Sequence, residues 1–452
     1  MTHGFVLDAN GRKMSKSMGN VVVPGEVING SPTSPSPSTS TKGGNAPTGK
    51  KKGENKKNKK KNKKNKNKNK QVKASATEWP AYGVDVLRAW VASTDFTSDV
   101  SLGPTAVGKA SDGIRKLRNV ARFMLGALSD FNGTAAAAVA EGAGGRGEEG
   151  DGRRGCDLVP FSSLPPLERL LLHRLSSFLR ESEREHGEMR LSRAQAALQR
   201  FLSSDLSSLF IDVRKDVLYA DASDGRRRRA AQTALWLALR SVTIAAAPVL
   251  PFTAQDIYTH MVREESERRG EGGEGGEGGS TQQQPCVFHE QWPEPAEEWR
   301  DDDLESRWTP VAAIRDECNA LLEDARSSGT LGASLEADVV ITVLSPSSTP
   351  SSSLLASLEE FSDDLPEILL VSRVGVEVEL EADGNNDDKT VLREATAEIA
   401  VPTAAVSLSP ATATVRISVV PAAGKKCRRC WKHTAPAEDQ VCGRCEAVLA
   451  GQ

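Results

Sequence analysis

Apolar side chains recur every three or four positions over several long stretches of this chain, which is the spacing of one face of an α-helix. The stretch from Leu164 to Gly187 illustrates the pattern, because its apolar residues share one face and Pro165 and Pro166 suit a first helical turn. Consecutive amphipathic helices joined by polar segments are typical of an antiparallel bundle, so the chain is predicted to be mainly α. The predicted helices cover residues 84–91, 106–131, 164–187, 191–217, 226–247 and 308–327.

A different pattern, rich in β-branched residues, occupies the last third of the chain and predicts short strands. Together with the preceding helix they predict a small α/β subdomain over residues 286–420. Near the start of the chain, residues 21–28 are predicted to be a short extended segment. The strands of the subdomain are predicted at residues 339–344, 369–376, 399–401 and 415–420.

Three segments have no apolar periodicity. Residues 30–78 are rich first in Ser and Pro and then almost only in Lys and Asn, and they are predicted to be a disordered insertion because they cannot bury apolar surface. Residues 132–155 and 263–285 are rich in Gly and charge and are predicted to be flexible linkers. The Lys/Asn tract is either an arm that tethers RNA through its phosphates or an insertion without a defined role, with nuclear targeting as a third reading.

The totals narrow the class of protein. The chain has 452 residues, enough for about three domains, and its formal net charge of −3 combines one strongly basic segment with two acidic ones. No apolar run approaches the ~18 residues of a membrane-spanning helix, and no signal peptide opens the chain, so no membrane partner is predicted. Seven cysteines, unevenly spread, indicate a reducing compartment and argue against a secreted disulfide framework.

Four of these cysteines form two C-x2-C pairs near the C-terminus. Each pair can direct two thiolates to one point, and two pairs complete a tetrahedral Zn²⁺ site. Because all four positions are filled by protein, such a zinc ion is structural rather than catalytic. Two disulfides or free thiols are the alternative, which the reducing context disfavours. Residues 421–452 are therefore predicted to be a zinc-binding module with the ligands Cys427, Cys430, Cys442 and Cys445.

Residues 12–20 read Arg-Lys-Met-Ser-Lys-Ser-Met-Gly-Asn. Lys13 and Lys16 lie in a segment of small and turn-forming residues, which predicts a flexible loop. Two mobile ammonium groups suit a polyphosphate, because point charges can follow the charge that moves onto a leaving pyrophosphate. By itself a K-x-x-K pair is more often a solvated basic turn.

In its context, from Thr2-His3-Gly4-Phe5 to Val23-Pro24, this segment resembles the KMSKS loop of class I aminoacyl-tRNA synthetases. The resemblance implies that residues 1–29 are the end of a Rossmann-like catalytic domain that uses ATP with Mg²⁺. It implies that Lys16 holds the phosphates in the transition state and that Lys13 assists, as catalytic residues. The ATP-binding residues implied are Lys13, Met14, Ser15, Lys16 and Ser17.

Further segments, at residues 209–219, 247–256 and 329–337, resemble isoleucyl-tRNA synthetases of the bacterial type. This resemblance implies that residues 79–131 and 156–262 form the helical anticodon-binding bundle. The C-terminal module resembles the zinc finger that these enzymes share with formamidopyrimidine-DNA glycosylases. The tRNA-binding residues implied are Arg214, Lys215, Arg428, Arg429, Trp431 and Lys432.

Structural alternatives to these RNA contacts stay open. The segment around Arg214 and Lys215 is equally a marker of the fold, and Trp431 packs within its own module in the alternative reading. The arginine-rich face of the helix 106–131 is either a solvated face or a contact with an RNA backbone.

The resemblance implies a monomeric isoleucine–tRNA ligase, which activates isoleucine with ATP and transfers it to tRNA(Ile). The sequence contains no His-x-Gly-His type motif and no editing domain, so we expect the C-terminal portion of a longer protein, which does not form the adenylate alone. The alternative is a non-catalytic, zinc-containing tRNA-binding protein, and a DNA glycosylase is a distant third. Low-complexity insertions in a bacterial-type chain indicate an organelle, either chloroplast or mitochondrion, with the cytoplasm as the alternative.

Overall fold

The computed structural model describes residues 3–31, 79–133, 157–269, 285–345, 352–380, 391–401 and 411–451. The insertion predicted over residues 30–78 and the linker predicted over 132–155 lie almost wholly outside these ranges. The linker predicted over 263–285 begins too early, because residues 263–269 belong to a helix that ends at Arg269, and most of its remaining residues lie outside the described ranges. The chain divides into two compact units, Met1–Asp112 and Gly113–Gln452, which are treated separately below.

Within its described residues, the first unit contains two short parallel strands, two helices and the start of a third. Strands β1 (Val6–Leu7) and β2 (Val100–Ser101) pair in parallel, and helix α1 (Pro24–Asn29) is followed by α2 (Val84–Ser93). The extended segment predicted over residues 21–28 is wrong for its second half, which is α1. Pro24 opens this helix, and the carboxylate of Glu26 accepts a hydrogen bond from the Val23 amide at 3.2 Å, so both are helix-start signals.

The insertion leaves the first unit and returns to it at one place. Ser31 and Trp79 are 48 positions apart in sequence, yet the Ser31 amide donates to the Trp79 carbonyl at 2.9 Å and the Trp79 amide donates to Ser31 Oγ at 2.9 Å. The chain then continues along α1, since the Tyr82 amide donates to the carbonyl of Val27. The fold of the first unit is thus closed at the base of the insertion.

The second unit begins with a bundle of α-helices whose facing sides are almost fully buried. Helix α3 spans Pro104–Ala127, and its residues from Gly113 onward belong to this unit. Helix α7 is buried along most of its length and carries many alanines, which let neighbouring helices approach closely. The remaining bundle helices are α4 (Pro166–Gly187), α5 (Leu191–Arg200), α6 (Asp212–Ala220), α7 (Arg226–Ala246) and α8 (Pro251–Arg269).

The single helix predicted over residues 191–217 is interrupted. A π-helical segment, Phe201–Ile211, separates α5 from α6, and α6 continues to Ala220. A π-helix widens the turn by one residue, so the apolar side chains keep a helix-like spacing that periodicity does not distinguish from a continuous α-helix.

The predicted α/β subdomain is a four-stranded sheet in the order β4-β3-β6-β5, in which β3 and β4 are parallel and the other pairs antiparallel. Helix α9 (Asp302–Ser327) covers one face, onto which Val339, Ile341 and Val343 project and are fully buried. The strands are β3 (Ala337–Ser345), β4 (Val374–Leu380), β5 (Arg393–Val401) and β6 (Ala411–Pro421).

One predicted boundary in this subdomain is wrong. The strand predicted from residue 369 begins only at Val374, because the one-turn helix α11 (Leu365–Ile368) precedes it and is followed by a left-handed residue, Leu370. Helix α10 (Ser352–Glu360) lies between β3 and α11 in the chain. The last helix, α12 (Gly443–Ala450), belongs to the cysteine-rich module. Of the helices that the structure describes, none combines the length and apolar character needed to cross a membrane.

Candidate functional site

Lys13 and Lys16, the two lysines of the predicted phosphate-binding loop, are exposed to solvent. The loop lies between Gly11 and Gly19, whose φ angles of 71° and 66° belong to the left-handed region that favours glycine. The ammonium group of Lys13 lies 5.7 Å from the ring centroid of Phe5, within the range of a cation–π contact. Both cations are therefore free to approach an anionic ligand.

Short turns shape the tip of this loop. The Met18 amide donates to the Ser15 carbonyl and the Gly19 amide to the Lys16 carbonyl, each at 3.2 Å. At the base, hydrogen bonds from the side chain of Asn20 and from the backbone of Arg12 lower the pKa of Asp8, so this carboxylate stays ionised. The loop is thus a defined conformation rather than an open coil.

The four cysteines predicted as metal ligands lie together. Their sulfur atoms all lie within 4.8 Å of one another, and the Sγ atoms of Cys430 and Cys442 are 3.7 Å apart. A tetrahedral Zn²⁺ with Zn–S bonds of ~2.3 Å places its sulfurs about 3.8 Å apart. The donor set and spacing therefore fit a four-coordinate metal ion.

Local backbone geometry positions the cysteine pairs and lowers the pKa of one of the thiols. Trp431, with φ of 68°, turns the chain after the first pair, and its amide donates to the Cys427 carbonyl at 3.0 Å. Cys445 lies in the first turn of α12. Burial raises the pKa of the Cys427 thiol, but hydrogen bonds from the backbone amides of Cys430, Cys442 and Arg429 lower it to about 6. Burial raises the pKa of the Cys430 and Cys445 thiols, so among these three cysteines the thiolate that a metal requires is favoured at neutral pH only at Cys427.

One side of the cysteine module is held on the bundle and the sheet by its own cations. The ammonium group of Lys432 donates to Glu367 at 2.8 Å, and the Arg444 guanidinium forms an ion pair with Asp216 at 2.7 Å. Arg429 donates to the carbonyl of Ala220 at the end of α6. We call this contact the module seat, and it engages three of the cations nearest the cysteines.

The opposite side of the module faces solvent and is basic and aromatic. The side chain of Arg428 is 67% exposed and that of Trp431 is 63% exposed. The ammonium group of Lys426 lies 5.6 Å from the Trp431 ring centroid. These three residues, which we call the outer face, line a cleft of about 710 Å³ together with Lys425, His433 and two carboxylates. The carboxylates are Glu438 and Asp439, and Asp439 lies 3.9 Å from Arg428 Nε.

Comparisons with known proteins place these features in one family. A family model described as the anticodon-binding domain of tRNA ligase matches residues 168–341, and one described as tRNA synthetases class I (I, L, M and V) matches residues 1–103. This chain belongs to the class I tRNA synthetase family. Its relatives include the isoleucine–tRNA ligases of Gloeobacter violaceus, 32% identical, and of Nostoc punctiforme, 31% identical.

Both alignments cover 100% of this chain but only 35% and 37% of the relatives, so the synthetase chain spans little more than a third of their length. Among solved structures, the ternary complex of Agrobacterium radiobacter K84 agnB2 LeuRS with tRNA and LeuAMS matches 83% of this chain and 32% of that chain. That match has a TM-score of 0.38 at 12% identity, which is too low to carry an argument.

Within the anticodon-binding region of the synthetase chain, Arg214 does not lie where an RNA contact requires. Its side chain is 1% exposed and donates to Glu168 at 2.6 and 2.7 Å and to Asp364 at 2.5 and 2.8 Å. A guanidinium that is fully engaged with two buried carboxylates has no surface to offer a phosphate, so this prediction is wrong. Its neighbour Lys215 is 53% exposed and pairs only with Asp212 on the same helix.

The same reasoning separates the predicted contacts of the cysteine module. Arg429 and Lys432 belong to the module seat, where intramolecular partners occupy their donors, whereas Arg428 and Trp431 are on the outer face. The sequence did not distinguish the residues of the module seat from those of the outer face. Side chains around a metal site alternate between inward and outward directions without a regular apolar period.

The sequence analysis also did not identify the acidic partners of these buried and seat cations, which are Glu168, Asp364, Asp216 and Glu367. For Glu168 a signal existed: it lies four residues after Leu164 and three before Leu171 on an apolar stripe, and it is fully buried. A lone carboxylate on a buried face requires a cation. Burial raises the pKa of Glu168, whereas the pKa of Asp364 is lowered, since its hydrogen bonds from Arg214 outweigh the effect of burial.

Proposed function

We propose that this chain is part of an isoleucine–tRNA ligase, to which it supplies a phosphate-binding loop and a tRNA-binding region. The observation that carries the proposal is the similarity along the whole chain to relatives of that name, which includes both the lysine loop and the cysteine module. The domain bounds predicted above serve this proposal. They comprise residues 1–29, 30–78, 79–131, 132–155, 156–262, 263–285, 286–420 and 421–452.

In the adenylation reaction, isoleucine attacks the α-phosphate of ATP and pyrophosphate leaves. We assign the phosphates to the ammonium groups of Lys13 and Lys16, with Met14, Ser15 and Ser17 lining the ATP site. Both lysines are exposed on a loop between Gly11 and Gly19, two glycines in the left-handed conformation, and this exposure supports the role. Fixed cations that meet charge as it develops stabilise the transition state without a proton transfer. Mg²⁺ would neutralise the remaining phosphate charge.

We propose one structural Zn²⁺ held by Cys427, Cys430, Cys442 and Cys445. The sulfur separations described above suit a tetrahedral ion of this size. A closed set of four thiolates leaves no open position for substrate, so the ion stabilises the module rather than acting on a bond.

For tRNA(Ile) we propose the outer face of the module as the contact surface. Exposed arginine suits a phosphate, and an exposed indole ring offers a platform on which an unpaired base stacks. Lys215 remains a further surface candidate, whereas Arg214, Arg429 and Lys432 act within the protein. The ligase is proposed to be a monomer. Its proposed location is an organelle, either chloroplast or mitochondrion, which the cyanobacterial relatives favour, and the cytoplasm is the alternative.

Binding of a tRNA(Ile) transcript to the zinc-loaded chain tests the tRNA proposal. Stacking on an aromatic ring contributes about 1–3 kcal/mol per base, so Trp431→Ala is expected to weaken binding between about fivefold and 150-fold. Arg326→Ala removes an arginine that is 44% exposed and pairs only within α9, and it should leave the affinity unchanged. Equal affinities for Trp431→Ala and Arg326→Ala would contradict the assignment.

The alternative, a non-catalytic zinc-containing tRNA-binding protein, is separated from the ligase by the lysine loop. If the loop binds phosphates, Lys16→Ala lowers the affinity of the chain for magnesium pyrophosphate by an order of magnitude, about the effect of one charge-assisted contact. An unchanged affinity, together with intact tRNA binding, would favour the non-catalytic protein.

A further inference from the structure

One side chain at the base of the lysine loop holds three separate parts of it. The carboxamide oxygen of Asn20 accepts a hydrogen bond from the Ser15 amide at 2.9 Å. Its nitrogen donates to Asp8 Oδ2 at 3.0 Å and to the Lys13 carbonyl at 3.2 Å. Both N–H groups of this amide are therefore used, one by the Asp8 carboxylate and the other by the Lys13 backbone carbonyl.

The Asp8 carboxylate connects this amide to the strand that precedes the loop. Asp8 directly follows β1, and its Oδ1 accepts hydrogen bonds from the amides of Asn10 and Arg12, each at 2.9 Å. The Asp8 amide also donates to the Arg12 carbonyl at 2.8 Å. The first limb of the loop is thus locked onto the end of β1, and Asn20 ties the second limb to it.

The positions of both lysines depend on this arrangement. Lys16 lies inside a ring of backbone that the bond between the Ser15 amide and Asn20 closes, and the Lys13 carbonyl is held by the same side chain. Meanwhile the ammonium groups of both residues extend into solvent. One carboxamide therefore determines the spacing of two backbone segments whose side chains carry the charge.

We infer that Asn20 is the positioning residue for Lys13 and Lys16, fixing the backbone of both residues relative to Asp8 at the end of β1. This inference rests on the proposed phosphate-binding function of the loop. Holding two cations at a fixed separation removes conformational freedom that phosphate binding would otherwise have to remove.

An asparagine is needed because the position requires both an acceptor and two donors. Aspartate would keep the acceptor for Ser15 but lose both donors, and it would set a second carboxylate beside Asp8. Alanine would remove all three bonds. Asn10 offers a matched control, since it lies in the same turn and its side chain makes no hydrogen bond within the described residues.

Amide hydrogen exchange in the full chain without ligand tests the brace itself. The Ser15 amide is expected to exchange about tenfold faster in Asn20→Ala, as the loss of a hydrogen bond predicts, and less than tenfold faster in Asn20→Asp, which keeps the acceptor for this amide. Exchange in α2 should stay unchanged in both variants, which shows that the unit remains folded. Equal Ser15 exchange in Asn20→Ala and Asn10→Ala would overturn the inference.

A double-mutant cycle tests whether the brace serves the lysines. Magnesium pyrophosphate is titrated against the wild-type chain, Asn20→Ala, Lys16→Ala and the double variant. We expect Asn20→Ala to lose about fivefold in affinity, and to lose almost nothing further when Lys16 is already absent, because positioning acts through the lysine. Additive losses would overturn the positioning role. A wild-type chain that ignores pyrophosphate while Ser15 exchange is still accelerated refutes the phosphate-binding proposal and supports the brace.

Discussion

Replacement of Arg214 by methionine is expected to destabilise the second unit by about 3–5 kcal/mol, the usual cost of removing one partner from a buried ion pair. The side chain is 1% exposed, and it donates four hydrogen bonds to Glu168 and Asp364, which are 0% and 4% exposed. Methionine fills a similar volume, so the loss reports the stranded Glu168 carboxylate and the weakened pairing of Asp364, which keeps a bond from Arg227 at 2.8 Å, rather than a cavity.

The loss should depend on pH in a defined direction. In the wild type the lowered pKa of Asp364 contributes stability above its unfolded value of about 3.8, and this contribution is lost as the pH falls. Without the guanidinium, the pKa values of both carboxyl groups rise above their unfolded values, so protonation favours the folded variant. The difference in unfolding free energy between wild type and variant should therefore shrink as the pH is lowered from 7 towards 5.

Urea denaturation followed by far-UV circular dichroism measures this difference. Lys215→Met is the matched control, because the adjacent cation is exposed and its pair with Asp212 contributes at most about 1 kcal/mol. Adding Glu168→Gln and Asp364→Asn to Arg214→Met should recover part of the lost stability, since no unpaired charge remains. A loss below about 1 kcal/mol for Arg214→Met, equal to that of Lys215→Met, would refute the reasoning.

Three further predictions concern other parts of the second unit. Atomic emission should find one zinc per chain, which Cys442→Ser loses and Cys318→Ser retains, since Cys318 is buried beneath the sheet away from the cluster; a zinc-free wild type would contradict the site. Asp216→Asn should accelerate hydrogen exchange across residues 425–450 by releasing Arg444, whereas Asp212→Asn should not, and equal exchange in both would exclude the module seat. Gly133→Ala should destabilise by about 1–3 kcal/mol in thermal unfolding, since its Cβ would lie 2.5 Å from the Trp236 ring, whereas Gly126→Ala, which has open space in α3, should stabilise by about 0.5–1 kcal/mol; the opposite order would be incompatible with this packing.

Local signals predicted most of the helices, because a helix that buries one face repeats its apolar residues at short range. The bundle helices α4 and α7 begin or end within two residues of their predicted bounds. Where competing local signals occur, periodicity misleads: the valines at residues 21–23 suggested a strand, although Pro24 and Glu26 begin a helix directly after them.

Long-range partnerships explain what the sequence did not predict. Arg214 and Lys215 are adjacent cations, and only the fold places Asp364, 150 positions away, against the first and solvent against the second. The four cysteines were predictable because C-x2-C is a local pattern, and two such pairs imply that their four side chains meet at one metal ion. The division of the cations around them into a seat and an outer face depends on where α6 ends, which no spacing encodes.

The paired hydrogen bonds between Ser31 and Trp79 have a practical consequence. Because the two ends of the intervening tract meet, that tract can be exchanged for a fluorescent protein or an affinity handle without stretching α1 away from α2. The same closure means that natural lengthening or shortening of the tract imposes little entropic cost on folding. New sequence can therefore be inserted at this position without disturbing the fold of the first unit.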